Sequence, residues 1–288
     1  MNTGENLNQT NDNSNWNNLE SAPFNPARAE ALQNLNTTTS DTIKTVNRFL
    51  GEKGRDAILD FLNQKSETTY ANLSTAEEAF DFFKDYLEEF YQNHPRTNDS
   101  LYGYTGLSFG AMNSIARGYW DYDQLGPKTP EKEATARRYS EELSKTISES
   151  PELPADLTVY RGTNLEGFRD HGIHSLDELS NLKGQLFYER GFTSTSIVRE
   201  KSFFNEQLDD TYRRACNVEV EILVPKESHD GVPITLDQRN TEEFTRRTEF
   251  VINASSLFRI KNVDVDHDAN TAHVVMELIP KSVWDRNF

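Results

Sequence analysis

The sequence predicts an α+β fold, with helices gathered in its first half and short strands in its second. Three observations carry this expectation. Before residue 150 apolar residues recur at helical spacing, as in Phe80, Phe83, Leu87 and Phe90. From Leu157 onward they alternate, as in Val218, Val220 and Ile222 and again from His273 to Ile279. Helices and strands do not take turns along the chain, which argues against a parallel sheet built from βαβ units.

Taken in order, the first 40 residues are rich in Asn, Ser and Thr, and asparagine fills eight of the first twenty positions. So polar a stretch cannot bury enough apolar surface to fold, and residues 1–40 are expected to be a disordered leader. It reads either as a plain tail or as the start of a protein exported unfolded, without a signal peptide, into a host cytoplasm. Residues 41–64 read as helix in two pieces around Gly51 and Gly54, with Ile43, Val46 and Leu50 before them and Ile58, Phe61 and Leu62 after. Ser74 and Glu77 form a capping box that opens the next helix, which stops at Pro95. The segment "LYGYTGLSFGAMNSIARGYW" reads as a Gly-punctuated loop leading into a helix. A further helix runs from about Glu131 to Ile147, and Pro151 and Pro154 end it. The strand candidates are "LTVYRG", "GQLFYERGFTSTSI", "NVEVEILVP", "PITL", "TEFVI", "SLFRIKNVDV" and "TAHVVMELIP".

Composition narrows the function. Thirty basic against 47 acidic side chains give a net charge of −17 across 288 residues, which argues against a broad nucleic-acid or anionic-membrane footprint. No apolar stretch approaches the roughly 18 residues of a membrane span. The opening residues lack the basic-then-apolar pattern of a secretory signal. The lone Cys216 fits a reducing compartment and reads as buried filler rather than a nucleophile. His171 and His174 flank Gly172 in what reads as a loop, so no metal site is expected.

Three pieces place polar residues where strand apolarity predicts core. Arg161 stands at the end of a strand beside Gly162, where a guanidinium can grip phosphates in a fork. Thr193-Ser194-Thr195-Ser196 follows the aromatic Phe192. Glu249 opens the apolar run Phe250-Val251-Ile252, although burying a lone carboxylate costs several kcal/mol. Each alone also reads as an ordinary strand-edge residue.

In this order they resemble the mono-ADP-ribosyltransferases of the Arg-Ser-Glu class, to which many bacterial toxins and effectors belong. The resemblance covers roughly residues 76–281 and rests on "YTGLSFGAMNSIARG", "VYRG", "GFTSTS" and "TEFVINASSLFRI". It implies two packed antiparallel sheets with N-terminal helices and NAD bound in the cleft between them. Residues 41–95 would form a helical lobe that closes the cleft or recognises the target, and 96–288 the catalytic core. Cleaving the nicotinamide–ribose bond builds positive charge on C1′, as in glycoside cleavage, and a fixed carboxylate stabilises it. The resemblance makes Glu249 that carboxylate, Ser194 the hydroxyl that orients it and Arg161 the holder of the NAD phosphates. The Gly162 backbone would bond the nicotinamide amide. Phe203 or Phe204 would stack on the nicotinamide side, and Tyr104 and Asn113 would line the opposite wall. NAD is the substrate and no metal is implied.

One position departs from the commonest family pattern. Arginine-modifying members carry a glutamate two residues before the catalytic one, where this chain has Arg247. At ~4 Å a cationic Arg247 would repel a target guanidinium by about 4 kcal/mol. The acceptor on a host protein is therefore expected to be Thr or Ser rather than Arg, with Phe244 and Arg247 reading the target. In this the chain is similar to effectors that modify a threonine of ubiquitin, which makes ubiquitin a candidate partner. An NAD glycohydrolase and a silent binding member of the fold remain as alternatives.

Overall fold

The structure, a computed structural model, describes residues 51–94, 99–106, 108–121, 125–202, 204–205, 216–234 and 248–284. The expected leader, the helical piece over 41–50, Phe203, Phe244 and Arg247 lie outside the described residues. Among the described residues the chain runs α1 (Gly51–Gln64), α2 (Ala76–Asn93), α3 (Asp99–Thr105), α4 (Phe109–Arg117) and α5 (Pro130–Ser148) before the first strand. There follow β1 (Leu157–Thr163), α6 (Leu176–Leu179), β2 (Leu186–Glu189), β3 (Thr193–Ser196) and β4 (Val218–Val224). The remainder is β5 (Gly231–Pro233), β6 (Glu249–Ile252), β7 (Ser256–Asp266), β8 (Thr271–Ile279) and α7 (Lys281–Trp284). Helices before strands is the expected α+β order.

The eight strands join in the order β2-β7-β8-β4-β1-β3-β6-β5. The two sheets expected from the sequence are two leaves of this one sheet. Five strands, from β2 to β1, form the long leaf, and β3, β6 and β5 form the short one. Among the described residues a single bridge, Tyr160 opposite Ser196, pairs them. Within the long leaf β1 pairs with β4 over its full length, and β7 pairs with β8 with one irregularity between Ile260 and Asn262. One pairing departs from the antiparallel expectation, since β4 and β8 run parallel.

Helix α2 opens one residue later than the capping box predicted. Thr75, in extended backbone, accepts from the Glu78 amide, and the Glu78 carboxylate returns to the Ser74 amide. The helix buries Ala79, Phe83, Tyr86, Leu87 and Phe90, its apolar stripe, against the same core as Val159, Ile222, Phe250 and Val274. Helix α1 runs unbroken through Gly54 and packs Ile58, Phe61 and Leu62 with Tyr188, Leu257, Ile279 and Trp284 in a second cluster. Burying such side chains stabilises by roughly 1.5–3 kcal/mol each relative to exposure.

Two corrections bear on the site. The loop expected before Asn113 is partly helical, because α3 seats Tyr104 in the core and Gly103 lets it approach Tyr139 closely. The strand expected across "GQLFYERGFTSTSI" is two strands, β2 paired with β7 at one edge and β3 paired with β6 at the junction. The break falls at Arg190-Gly191. A Cβ at Gly191 would come within 2.8 Å of the Asn113 amide oxygen and 2.9 Å of Arg117, so a larger residue would have to displace those side chains.

Candidate active site

Where β1 and β3 diverge past their single bridge, two cavities open side by side. The first, about 250 Å³, is lined by Arg161, Gly162, Ser194, Ser196, Lys201 and Glu249 among others. The second, about 220 Å³, extends along α4 past Asn113, Arg117, Tyr119 and Asp121. They share the wall of Tyr104, Phe109, Arg161, Gly162 and Ser194. The structure thus brings Arg161, Gly162, Ser194, Glu249, Tyr104 and Asn113 to one cleft. Phe204 is half-buried in a turn beyond Ser202 and lines neither cavity.

Local chemistry explains the placement. Past the bridge β3 has no ladder partner on the β1 side, and the Arg161 guanidinium takes the vacant role, donating from Nη1 to the Ser194 carbonyl at 2.7 Å. On its other side β3 is registered to β6, Ser194 opposite Val251 and Ser196 opposite Glu249. Pairing with period 2 therefore places Ser194, Ser196 and Glu249 on one face, while Phe250 enters the core on the other.

Across the cleft, the Tyr104 hydroxyl and Ser194 Oγ are 3.0 Å apart. Burial, and secondarily the Glu249 charge, pushes the Tyr104 phenol up to about 12, so it stays protonated at neutral pH. Asn113 Oδ1 accepts the Phe192 amide at 2.7 Å and fixes the start of β3 to α4.

Arg161 is held below the ordinary guanidinium value, first by burial and then by Arg117, with Glu189 acting against them. Burial lowers Arg117 too, but the Glu189 carboxylate outweighs it and raises Arg117 overall. Glu189 Oε1 accepts from Arg117 Nε at 3.1 Å and from the Gly191 amide at 2.7 Å. Arg117 is thus paired with Glu189, whereas Arg161 feels that carboxylate only at a distance, and Arg161 is the charged side chain common to both cavities, a setting for a phosphate-bearing ligand.

Arg117 and Glu189 were not among the expected site residues. Arg117 stands four residues after Asn113, hence on the same helix face, and that spacing is the signal that could have found it. Cys216 is half-buried rather than buried, and its thiol is raised by burial. Among the described residues no group of three or more His, Cys, Asp or Glu is arranged to hold a metal ion.

Comparison with known proteins agrees with this architecture. The sequence model of the ADP-ribosyltransferase exoenzyme family matches residues 77–281, well over half of the chain. The chain belongs to that family. No curated protein sequence matches it. Among solved structures it is similar to C3stau2 from S. aureus, solved with NAD, at 16% identity and a TM-score of 0.52, covering 74% of this chain and 100% of that one. Plx2a, an ADP-ribosyltransferase toxin from Paenibacillus larvae, gives 17% identity and a TM-score of 0.52 over 73% of this chain and 100% of its own. BECa, the ADP-ribosylating toxin of a C. perfringens binary enterotoxin, solved with NADH, gives 13% and 0.55 over 74% of this chain and 50% of that one. At these identities the likeness establishes the ADP-ribosyltransferase fold.

Proposed function

We propose that the chain is an NAD-dependent protein mono-ADP-ribosyltransferase. One observation carries the reading: Arg161, Ser194 and Glu249 converge on a two-chambered cleft with the Arg161 cation at its waist. A dinucleotide has that shape and charge. The pyrophosphate would lie against Arg161 and Arg117, the nicotinamide ribose in the chamber of Gly162, Ser194 and Glu249, and the adenosine along α4 beside Asn113. Glu249 would hold the ribose 2′-hydroxyl and stabilise positive charge on C1′ as the bond to nicotinamide breaks. Nicotinamide then leaves with the bonding pair as a neutral heterocycle. An acceptor oxygen bonds to C1′ and gives up its proton. Tyr104 and Ser194, both hydroxyl-bearing, would orient the carboxylate and ribose.

For the acceptor the support is the sequence. Arg247, two residues before Glu249, disfavours a guanidinium target, so a Thr or Ser hydroxyl of a host protein is the acceptor we infer, with ubiquitin the first protein to try and Phe244 part of the reading surface. Delivery into a host cell fits an exoenzyme family. No described helix is long and apolar enough to cross a membrane.

The test is incubation with labelled NAD, a host-cell lysate and, separately, purified ubiquitin, followed by mapping of modified residues by mass spectrometry. Label on a hydroxyl side chain is the expected result. Label on arginine would overturn the acceptor assignment alone. Release of free ADP-ribose with no protein label would make the chain an NAD glycohydrolase, and no NAD turnover at all would remove the enzymatic reading.

A further inference from the structure

Thr248 immediately precedes Glu249 and is fully buried, yet its φ is +46°, a region that β-branched residues rarely enter. Backbone of this kind persists only where its surroundings hold it, and it gathers at functional sites. The hold here comes from the end of β3. Ser196 Oγ donates to the Val198 carbonyl at 2.7 Å, which commits its proton. Of the two hydroxyls 3.0 Å apart, Thr248 is therefore the donor to Ser196. The Thr248 carbonyl accepts the Ile197 amide at 2.9 Å, and its Oγ1 faces the Val198 amide at 3.4 Å. Ser196 is also the residue opposite Glu249 and the partner of Tyr160 in the bridge that pairs the two leaves.

We propose that Thr248 is a positioning residue. Its left-handed turn aims the Glu249 carboxylate into the cleft, and the buried Ser196–Thr248 hydroxyl pair locks that turn to the junction of the leaves. The inference rests on the transferase reading above. A threonine is used because its hydroxyl supplies the lock, whereas glycine would enter the same backbone region without strain but bring no hydroxyl to Ser196.

Steady-state NAD cleavage by Thr248→Val, Thr248→Ser and Ser196→Ala tests this, with melting temperatures measured alongside. Misplacing a catalytic group by about 1 Å can cost on the order of 100-fold, so Thr248→Val should lower kcat roughly 10- to 100-fold. Its KM for NAD should stay within about two-fold, since binding belongs to other groups. Thr248→Ser should recover most of the rate. Ser196→Ala should match Thr248→Val, and combining the two should cost little more, because each breaks the same lock. Should Thr248→Val not fold, Ser196→Ala and Thr248→Ser carry the comparison. Wild-type kcat in Thr248→Val or in Ser196→Ala overturns the proposal, as does a parallel rise in KM, or a serine variant no better than valine. Wild-type protein that turns over no NAD would overturn the transferase reading, and this inference with it, and so is distinguishable from those results.

Discussion

The long and short leaves of the sheet are built from the same kind of residue and do different work. In the long leaf β1, β4, β8 and β7 are paired along nearly all their lengths, and Val159, Val220, Ile222, Val274 and Leu278 point into one core. The short leaf buries Phe250, Val251 and Ile252 as thoroughly, but among the described residues its strand pairing with the long one comes down to the Tyr160–Ser196 bridge. Past that bridge, backbone groups that would have faced each other are parted, and side chains fill the opening: Arg161 on the Ser194 carbonyl and Tyr104 on the Ser194 hydroxyl. Continuous pairing gives a scaffold. Interrupted pairing gives a cleft, because polar side chains can be satisfied there without a ladder.

Changes in the two leaves should therefore separate cleanly. Leu278→Ala, deep in the long leaf, should lower stability by about 2–5 kcal/mol through the cavity it leaves. Chemical denaturation would show the loss, while NAD kinetics per folded molecule stay unchanged, and a large kinetic defect would break the separation. Glu249→Gln, in the short leaf, should do the opposite. Its rate of NAD cleavage should fall roughly 100- to 1000-fold, about 2.7–4 kcal/mol, with the melting temperature and NAD affinity preserved. Near-normal turnover would take Glu249 out of the chemistry.

At the junction itself, Arg161→Ala should weaken NAD binding by roughly 10- to 100-fold, in line with about 1.5–3 kcal/mol for hydrogen bonds to charged groups. Arg161→Lys should recover only part of it, for lysine keeps the charge but not the fork. Titration calorimetry decides, and unchanged affinity in the alanine variant would leave the residue a purely structural link between the leaves.

The smallest expected effect sharpens the picture on the wall beside Ser202. Glu219 on β4 accepts from Arg199 at 2.8 and 2.6 Å and from Asn205 at 2.8 Å, tying the turn after β3 back to the long leaf. Burial opposes its charge, but those donors prevail and hold its carboxyl below the ordinary value. A depressed carboxyl contributes stability above its unfolded value, about 4.3, and loses it as pH falls through the folded one. Glu219→Gln should therefore melt lower than wild type at pH 7, by on the order of 1 kcal/mol, with the gap closing below about pH 4. A gap independent of pH would assign the contact to packing rather than charge.

Much of this is legible in the sequence. Arg161, Ser194 and Glu249 show themselves as polar residues set into apolar strands, and the order of helices before strands follows from local periodicity. Arg117 and Thr248 did not show themselves. An arginine near the end of a helix and a threonine before a strand are common in any protein, and what distinguishes these two is their neighbours, Glu189 and Ser196, which lie 72 and 52 residues away.

By itself, the sequence determined the order of helices and strands, which faces are apolar and which polar residue types stand in apolar strands. Those properties depend on a few neighbouring residues and survive in one dimension. Only the tertiary structure decided that β2 and β3 part company at Gly191, that β4 and β8 run parallel, and that β1 and β3 meet in a single bridge. Strand pairing is chosen by backbone partners far apart in the chain and by the packing of α2 and α4 around them. The backbone of Thr248 belongs to the same category, since no local preference selects φ near +46° for a threonine, and contacts from β3 hold it there.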